Sequence, residues 1–296
     1  MLQSIKGMIR GVFVISALVL LICAAYALSI MNSDCISEKL TITGDQIDLK
    51  NIYGTDDMSV RFDFEGKTLT ITHTNYDKVT KETTIPIEIS DDGRIYLLEK
   101  LPSNSYQIYD ETTDDIWEKM GINVFTHFGG SFIYKYKTRE CIFLLGNDDL
   151  RASFRYFCAA DLNNDGNYQL LYFYTVGSGV HGYVLNCYSE KLKFNTYYRD
   201  MISLNSYLLK IDDQNVYIIK IKFEKQGEEY VALPLYEGEV FKLRVEKRDG
   251  EYIWLKYDDN DKFIREDCSG EYYVLTTDKA DEAEIARMLS ELEKYK

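Results

Sequence analysis

The sequence has little proline, histidine or cysteine, and it is short of positive charge. Its 296 residues include 3 Pro, 3 His and 6 Cys, and 34 Lys and Arg stand against 48 Asp and Glu, for a formal net charge of −14. Affinity for nucleic acid depends on Lys and Arg displacing counterions from phosphates, so a chain this acidic is a poor candidate for binding nucleic acid. No Pro-rich stalk, low-complexity linker or long charge run divides the chain.

The few histidines and cysteines form no metal-binding motif. His73 and His127 stand alone, and the absence of C-x-x-C spacing excludes a zinc ribbon. One or two disulfides could form outside the cell, with the pairing left open, but buried free thiols are the simpler interpretation. The cysteines beyond residue 33 are odd in number: Cys35, Cys141, Cys158, Cys187 and Cys268.

The common catalytic motifs are also missing. Ser178 and His181 are close in sequence, but the G-x-S-x-G pattern of a hydrolase is absent. Paired carboxylates at 91–92, 114–115 and 258–259 fall in predicted turns or in the first turn of a predicted helix, where Asp is locally favoured. Nothing in the sequence brings two of these pairs together across a cleft, so no catalytic residue is predicted.

An uncharged, apolar run extends from Gly11 to Met31 near the amino terminus, and Lys6 and Arg10 precede it. As a helix this run would be roughly 31 Å long, close to the thickness of a bilayer's hydrocarbon core. The positive-inside rule places the amino terminus in the cytoplasm and residues 34–296 outside the cell. We therefore expect a single-pass membrane anchor through residues 11–31.

Two alternatives to an uncleaved anchor stay open. If Ala25-Tyr26-Ala27 is a signal-peptide cleavage site, the chain is cut near Ala27 and the remainder is secreted. Against cleavage, the apolar run continues beyond that site from Leu28 to Met31. Cys23 could carry a lipid, but the residue before a lipidated bacterial cysteine is normally small, and here it is Ile22. The length of the span favours the anchor.

The remainder of the chain predicts a mainly β fold built from antiparallel hairpins. Apolar residues make up 46% of the chain, enough for a substantial core, and 25 Tyr and 14 Phe suit half-buried pleated surfaces. Alternation of apolar and polar residues on both sides of a turn is a strong hairpin signal. The predicted hairpins are Ser59 to His73 around Glu65-Gly66-Lys67, Ile85 to Leu98 around Asp92-Gly93, Val216 to Leu235 around Gln226-Gly227, and Val240 to Tyr257 around Asp249-Gly250.

Two helices are predicted outside the span. Thr113 to Met120 has a capping Thr113 and is followed by Gly121, which predicts a short helix. The stretch from Asp278 to Lys296 is amphipathic and should dock on a sheet. Its apolar face consists of Ile285, Met288, Leu289 and Leu292.

The chain divides into three predicted segments. Residues 1–33 form the cytoplasmic tail and anchor, and residues 34–112 form an amino-terminal β region. Residues 113–296 form a second β region with the carboxy-terminal helix. The boundary lies where strand-like patterns give way to polar residues and the short helix.

One motif carries chemistry, in the segment Ala160 to Leu171. Asp161, Asn163 and Asp165 occupy alternate positions, and Gly166 permits a sharp turn. Oxygen side chains at such spacing converge on one point, and calcium accepts all-oxygen shells of irregular geometry. The loop is not an EF-hand, because Tyr172 stands at the twelfth position in place of a bidentate Glu.

At these residues the chain resembles the FG-GAP or VCBS-type repeats of integrin-like β-propellers and of many exported bacterial proteins, over residues 157–188. The resemblance implies sheets like propeller blades, although one such loop does not predict a complete propeller. It implies a structural calcium ion held by side chains of Asp161, Asn163 and Asp165, by the Asn167 carbonyl, and by Gln169 at the place of the last carboxylate. Because Gln169 is neutral, the site has two negative charges rather than three.

The alternative for this loop is an ordinary turn, since Asp, Asn and Gly tolerate left-handed backbone angles and cap their own turns. The protein as a whole is expected to be a membrane-anchored extracellular module of a bacterial cell surface, with a structural role or an extracellular protein or glycan as its partner. The rival hypothesis is a hydrolase acting on cell-wall or extracellular polysaccharide. A sensor or assembly factor with a short cytoplasmic tail is a third possibility.

Overall fold

The computed structural model is mainly β, as predicted. It describes residues 35–37, 41–50, 56–75, 78–99, 108–127, 130–144, 154–175, 183–195, 197–199, 206–212, 215–226, 229–234, 240–257 and 263–293. The described strands in chain order are β1 (Cys35–Ser37), β2 (Thr41–Thr43), β3 (Gln46–Lys50), β4 (Asp56–Asp63), β5 (Thr68–Asn75), β6 (Lys78–Ile89), β7 (Ile95–Leu97), β8 (Tyr109–Asp110), β9 (Asn123–His127), β10 (Gly130–Lys135), β11 (Glu140–Leu144), β12 (Phe154–Ala160), β13 (Gln169–Thr175), β14 (Tyr183–Tyr188), β15 (Phe194–Asn195), β16 (Tyr197–Arg199), β17 (Ser206–Asp212), β18 (Asn215–Gln226), β19 (Glu229–Pro234), β20 (Val240–Tyr257) and β21 (Phe263–Lys279). The described helices are α1 (Asp114–Met120) and α2 (Glu282–Glu293).

The strands form four sheets. The first sheet has the order β3-β4-β5-β6-β7, the second β2-β11-β10-β9-β8, and the third β12-β13-β14-β16. The fourth has the order β1-β15-β21-β20-β18-β17, with β19 beside β18. Pairing is antiparallel except where β1 runs parallel to β20 and β15 parallel to β21.

Apolar side chains form a separate core between each pair of successive sheets. Residues of the first sheet, such as Phe62, pack against Phe125 and Tyr134 of the second. The opposite face of the second sheet and α1 pack against Leu170 and Tyr172 of the third sheet. Residues from the other face of the third sheet, such as Leu171, pack against the fourth. Strands alternate their side chains between two faces, so one strand can serve two cores.

Three of the four predicted hairpins are confirmed. Strands β4 and β5 pair around the turn at Glu65-Gly66-Lys67, and β6 and β7 pair around Asp92-Gly93. Strands β18 and β19 pair on either side of Gln226-Gly227. At the β6–β7 turn Gly93 has φ of 99°, a left-handed angle that glycine adopts without strain.

The predicted turn at Asp249-Gly250 is wrong. Strand β20 continues without reversal to Tyr257, and its partner β21 faces it along its whole length. Gly250 lies directly opposite Gly270, and both have positive φ, 155° and 139°. Glycine adopts these backbone angles without a steric penalty, and β20 and β21 pair in continuous register through this point.

Both predicted helices are confirmed. Thr113 caps α1 by accepting a hydrogen bond from Ile116 N, and Gly121 ends it in a left-handed conformation with φ of 63°. The second helix starts later than predicted, at Glu282, because β21 extends to Lys279. Its residues Ile285, Met288 and Leu289 pack against Tyr217, Ile219 and Val240, so α2 docks on the fourth sheet as expected.

Some predictions concern residues that the structure does not describe. The predicted anchor and its alternatives, residues 1–33, lie outside the described residues, and within the described ranges no helix is long and apolar enough to span a membrane. The division between 34–112 and 113–296 stays a prediction. Strands from both of its segments share the second sheet, since β2 pairs with β11 and β8 with β9.

A polar contact reinforces the docking of α2. Glu284 accepts hydrogen bonds from the backbone N–H of Asp281, from Tyr217 Oη at 2.8 Å and from Lys242 Nζ at 3.0 Å. In return Asp281 Oδ1 accepts from Glu284 N, which completes a capping box at the start of the helix. These contacts, first among them the Asp281 N–H, lower the pKa of Glu284 to about 2.

The substitution Glu284→Gln tests this contact. A lowered pKa in the folded state means that ionised Glu284 stabilises the fold above its ordinary pKa and loses that effect as the pH falls toward 2. The variant should therefore have a lower free energy of unfolding than the wild type at pH 7, with the difference shrinking between about pH 5 and pH 2. Urea denaturation across this range measures it. Glu282→Gln, at an exposed position of the same helix, is the control, and a constant difference at all pH values would contradict the interpretation.

Candidate functional site

The predicted ion loop connects β12 to β13, within the third sheet. Ala160 pairs with Gln169 across the base of the loop, so strands flank it on both sides, as predicted. Asn164 and Gly166 have positive φ values of 55° and 81°, which produce the tight curvature. Asn is one of the few non-glycine residues that tolerate such angles, and this explains why the segment folds as a compact loop.

Asp161 organises the loop from its first position. Its Oδ1 accepts a hydrogen bond from Asp165 N at 3.1 Å and its Oδ2 accepts one from Gly166 N at 2.8 Å. Each carboxylate oxygen has two lone pairs, so one hydrogen bond leaves capacity for a cation. Asp161 can therefore fold the loop and serve as an ion ligand at the same time.

Asp165 is fixed by its neighbours. Its Oδ1 accepts from Asn167 N at 2.8 Å, and its Oδ2 accepts from Asn163 Nδ2 at 3.0 Å. The Asn167 N–H is the main cause that holds the pKa of Asp165 below its ordinary value, and the charge of Lys191 contributes to the same effect. The carboxylate is thus ionised at neutral pH, the state in which it can bind a cation.

Asn163 supplies the observation that fits an ion best. Its Oδ1 is buried and has no hydrogen-bond partner among the described residues. Buried amide oxygens normally have a partner, and carbonyl-type oxygens are calcium ligands. With Asp161 and Asp165, the loop thus offers two carboxylates and one unpaired oxygen to a hard cation.

The last two predicted ligands are engaged with other groups. Gln169 is fully buried, its Oε1 accepts from Leu162 N at 2.8 Å, and its Nε2 donates to the Asn167 carbonyl at 2.5 Å. The neutral amide thereby joins the two ends of the loop through one donor and one acceptor. Lys191 Nζ also donates to Asn167 Oδ1. Within the described residues, no group of three or more His, Cys, Asp and Glu side chains could hold a metal.

Other sequence candidates are not brought together. Ser178, His181 and the pair at 258–259 lie outside the described residues, as does the segment between β13 and β14. Cys141, Cys158 and Cys268 are free thiols. Burial raises the pKa of Cys158 to about 12 and also raises that of Cys141. Thiols of this kind hold little thiolate at neutral pH, which makes both poor nucleophiles.

A second polar cluster joins two carboxylate pairs that the sequence left separate. Arg94, which is 7% exposed, forms an ion pair with Asp114 at 2.6 Å and donates to the Thr112 carbonyl at 2.8 Å. Asp92 accepts from the indole Nε1 of Trp117 at 2.7 Å. The β6–β7 turn of the first sheet is in this way tied to the first turns of α1.

One donor of this cluster has no acceptor. Arg94 Nε is buried and lacks a hydrogen-bond partner in the described part of the chain. A buried donor left in this state costs about 1–3 kcal/mol. The guanidinium lies 4.6 Å from the ring centroid of Tyr96, a residue that remains 36% exposed.

Carboxyl groups near this cluster differ in their pKa. Hydrogen bonds from Ser90 and Trp117 lower the pKa of Asp92. Burial raises the pKa of Asp110 and that of Glu111, although Arg94 partly offsets the effect at Asp110. Sequence reasoning missed the cluster because its members belong to segments about 20 residues apart. The only local signal was the unusual set of charged and aromatic residues next to the predicted Asp92-Gly93 turn.

Comparisons with protein-family models, with curated proteins and with solved structures found no match to this chain.

The substitution Gln169→Met tests the closure of the loop without a metal. It keeps the size of the side chain but leaves Leu162 N–H and the Asn167 carbonyl without their partner, so the free energy of unfolding should fall by about 1–3 kcal/mol. Chemical denaturation in a chelating buffer measures this. The control is Tyr168→Phe, at the exposed neighbouring position, which should change the free energy of unfolding by less than about 0.5 kcal/mol. Equal effects of the two substitutions would show that Gln169 does not hold the loop.

Proposed function

We propose that this protein is an exported, membrane-anchored β module of a bacterial cell surface, with a binding or structural role and one structural calcium loop of the FG-GAP or VCBS type. The observation that carries the ion site is the buried, unpaired Oδ1 of Asn163, in the same loop as the carboxylates of Asp161 and Asp165. Calcium is the natural ion because the donor set consists only of oxygen. The stacked antiparallel sheets are consistent with propeller blades that do not close into a complete propeller.

The proposed role of the ion is to stabilise the fold. The loop joins two strands whose side chains enter both neighbouring cores: Leu170 and Tyr172 enter one, Leu171 and Phe173 the other. An ion that binds only the folded loop stabilises the folded state by mass action. Because Gln169 contributes no charge and Lys191 lies nearby, we expect a weak site that fills at the millimolar calcium concentrations found outside cells.

Thermal unfolding with and without calcium tests the ion. At a calcium concentration ten times the dissociation constant, the wild type should gain about 1.4 kcal/mol, or about 2–4 °C in melting temperature. Gln169→Glu should melt lower than the wild type in chelator, because a carboxylate oxygen then faces the Asn167 carbonyl. Calcium should also raise the melting temperature of this variant more than that of the wild type, because the third negative charge of the site is restored. Magnesium serves as the control, and identical curves with calcium and chelator for both proteins would refute the proposal.

The proposed extracellular location of residues 34–296 rests on the apolar span from Gly11 to Met31, and separate experiments test it. Intact-mass measurement of the membrane fraction should find a chain that retains residues 1–33, and protease added to intact cells should digest the part beyond residue 34. Replacing Leu20 and Leu21 by Arg should remove the protein from the membrane fraction, since each charge at the centre of a span costs about 2.5–3.5 kcal/mol. A chain that begins at Leu28 would identify a cleaved signal peptide instead.

A hydrolase is the second candidate function, and one observation favours it. Around Arg94 one carboxyl group, Asp92, has a lowered pKa, while a nearby one, Asp110, has a raised pKa. Pairs of carboxyl groups with opposite shifts supply the acid and the base in many glycoside hydrolases. The non-catalytic module is preferred because the aromatic and charged groups at this cluster are held by hydrogen bonds to one another.

A further inference from the structure

The first described strand closes four strands of the fourth sheet into a ring. In β1, Ile36 lies opposite Trp254 of β20 on one side and opposite Asn195 of β15 on the other. Strand β15 pairs with β21, and β21 pairs with β20, so backbone pairing runs in a closed circuit through β1, β15, β21 and β20. We call these four strands the β1 ring.

Two glycines lie where the long β20–β21 hairpin bends into this ring. The outer edge of β21 meets β15 at Tyr273 and Val274, and the outer edge of β20 meets β1 from Ile253 onward. Gly250 and Gly270 face each other between these two contacts. Glycine within a strand often marks a tight bend at the corner of a barrel. A two-stranded ribbon needs such a bend if both of its edges are to join the same pair of strands.

The β1 ring has a core of its own. Tyr252 and Tyr272 are each 5% exposed, their ring centroids are 5.0 Å apart, and Trp254, Cys268 and Val274 pack against them. This cluster shares no residue with the core between the third and fourth sheets. The bent part of the hairpin is therefore a packed unit, and β1 is the strand that joins it to the amino-terminal part of the chain.

The apolar span ends shortly before β1. Four residues lead from Met31 to Cys35. An extended chain covers at most about 3.6 Å per residue, so Cys35 lies within about 14 Å of the end of a span at residues 11–31. Paired strands are only about 4.8 Å apart, so the backbone of β20 at Trp254 is held near the membrane together with β1.

The short link also limits what can lie between the ring and the membrane. A folded domain of about 100 residues has a radius of gyration of about 13 Å, so its diameter exceeds a gap of about 14 Å. A partner protein of that size has no room there. The surface that faces the β1 ring is therefore the lipid bilayer itself.

Two side chains of the ring have the chemistry of a membrane interface. Trp254 is half-buried, and Lys193, directly before β15, is exposed. The Lys193 Nζ lies 4.7 Å from the centroid of the Trp254 ring and donates to Tyr252 Oη at 3.4 Å. Tryptophan and tyrosine are enriched at the level of the lipid headgroups, and an ammonium group binds phosphate.

We propose that the β1 ring is the membrane-facing part of the protein, with Trp254 and Lys193 at the level of the phospholipid headgroups. This inference rests on the proposed membrane anchor, and it adds the orientation in which the module stands on the bilayer. The bend at the glycines, the aromatic core and the pairing of β1 together hold that orientation.

Quenching of tryptophan fluorescence by labelled lipid tests the orientation. The chain has 2 Trp, and both Trp117 and Trp254 are half-buried, so Trp117→Phe and Trp254→Phe each leave one emitter of similar exposure. Both full-length variants are placed in lipid nanodiscs whose phospholipids carry a nitroxide on the headgroup. Trp254 should be quenched at least about twofold more than Trp117, because the short link limits its distance from the bilayer.

The position of Trp117 makes it a suitable comparison. It lies on α1, which follows β8, and β8 forms the opposite edge of the second sheet from β2, the strand that comes after β1. Acrylamide, a quencher dissolved in water, corrects for any remaining difference in exposure to solvent. Melting curves show whether both variants are folded.

Ile36→Pro, made in the Trp117→Phe chain, separates the role of β1 from that of the anchor. Ile36 has strands on both sides, and proline in the middle of a sheet removes a ladder hydrogen bond. Strand β1 should then detach, and quenching of Trp254 should fall toward the level of Trp117 while the protein stays in the nanodisc. Ser33→Pro, at a position before β1, is the control and should leave the quenching unchanged.

Equal quenching of the two tryptophans, or stronger quenching of Trp117, would overturn the proposal. Unchanged quenching in a folded Ile36→Pro variant would also overturn it, because β1 would then not hold the ring at the membrane. If that variant does not fold, the comparison of Trp117→Phe with Trp254→Phe decides alone. A protein missing from the nanodiscs would refute the anchor and this inference together, whereas equal quenching within nanodiscs would refute the inference and leave the anchor intact.

Discussion

The structure depends on sheets that are apolar on both faces. In β13, Leu170 and Tyr172 contact the second sheet while Leu171 and Phe173 contact the fourth. The same alternation occurs in β18, where Ile218 faces the third sheet and Tyr217 and Ile219 face α2. A sheet of this kind cannot be stable alone, because each exposed face would leave large apolar side chains in water.

The ion loop shows how a neutral residue can replace a charged one. In the loops that the sequence resembles, a carboxylate at the last position needs a cation to neutralise it. Here Gln169 occupies that position and uses both halves of its amide, one as acceptor and one as donor, to close the loop. The hydrogen bonds inside the loop thus maintain its shape, and the proposed ion would have only Asn163 and two carboxylates to satisfy.

How much of this could be predicted from the sequence depends on the range of the interactions. Hairpins, the caps of α1 and the apolar face of α2 are encoded by residues within a few positions of one another, and they were predicted correctly. The turn predicted at Asp249-Gly250 was wrong because its signal is local, whereas β20 continues through this point as it pairs with a distant segment, β21, whose Gly270 lies opposite Gly250. The polar cluster around Arg94 could not be predicted, since Arg94 meets Asp114 only when the first sheet and α1 have packed together.

The two candidate sites consequently depend on different levels of the fold. The ion loop is a local structure: its hydrogen bonds join residues no more than seven positions apart, apart from the contact with Lys191. The cluster around Arg94 depends on tertiary packing. Asn123 of the second sheet supports it by accepting a hydrogen bond from Ile95 N of the first sheet, and its side chain also donates to the carbonyl of Tyr134 on the neighbouring strand of its own sheet. A partial loss of packing between those sheets would separate Asp92 and Arg94 from α1 while the ion loop stayed folded. The geometry of the cluster around Arg94 should therefore be sensitive to substitutions in the core around Phe62 and Tyr134, and that of the ion loop should not be, because energetic coupling falls with distance between groups that share no contacts.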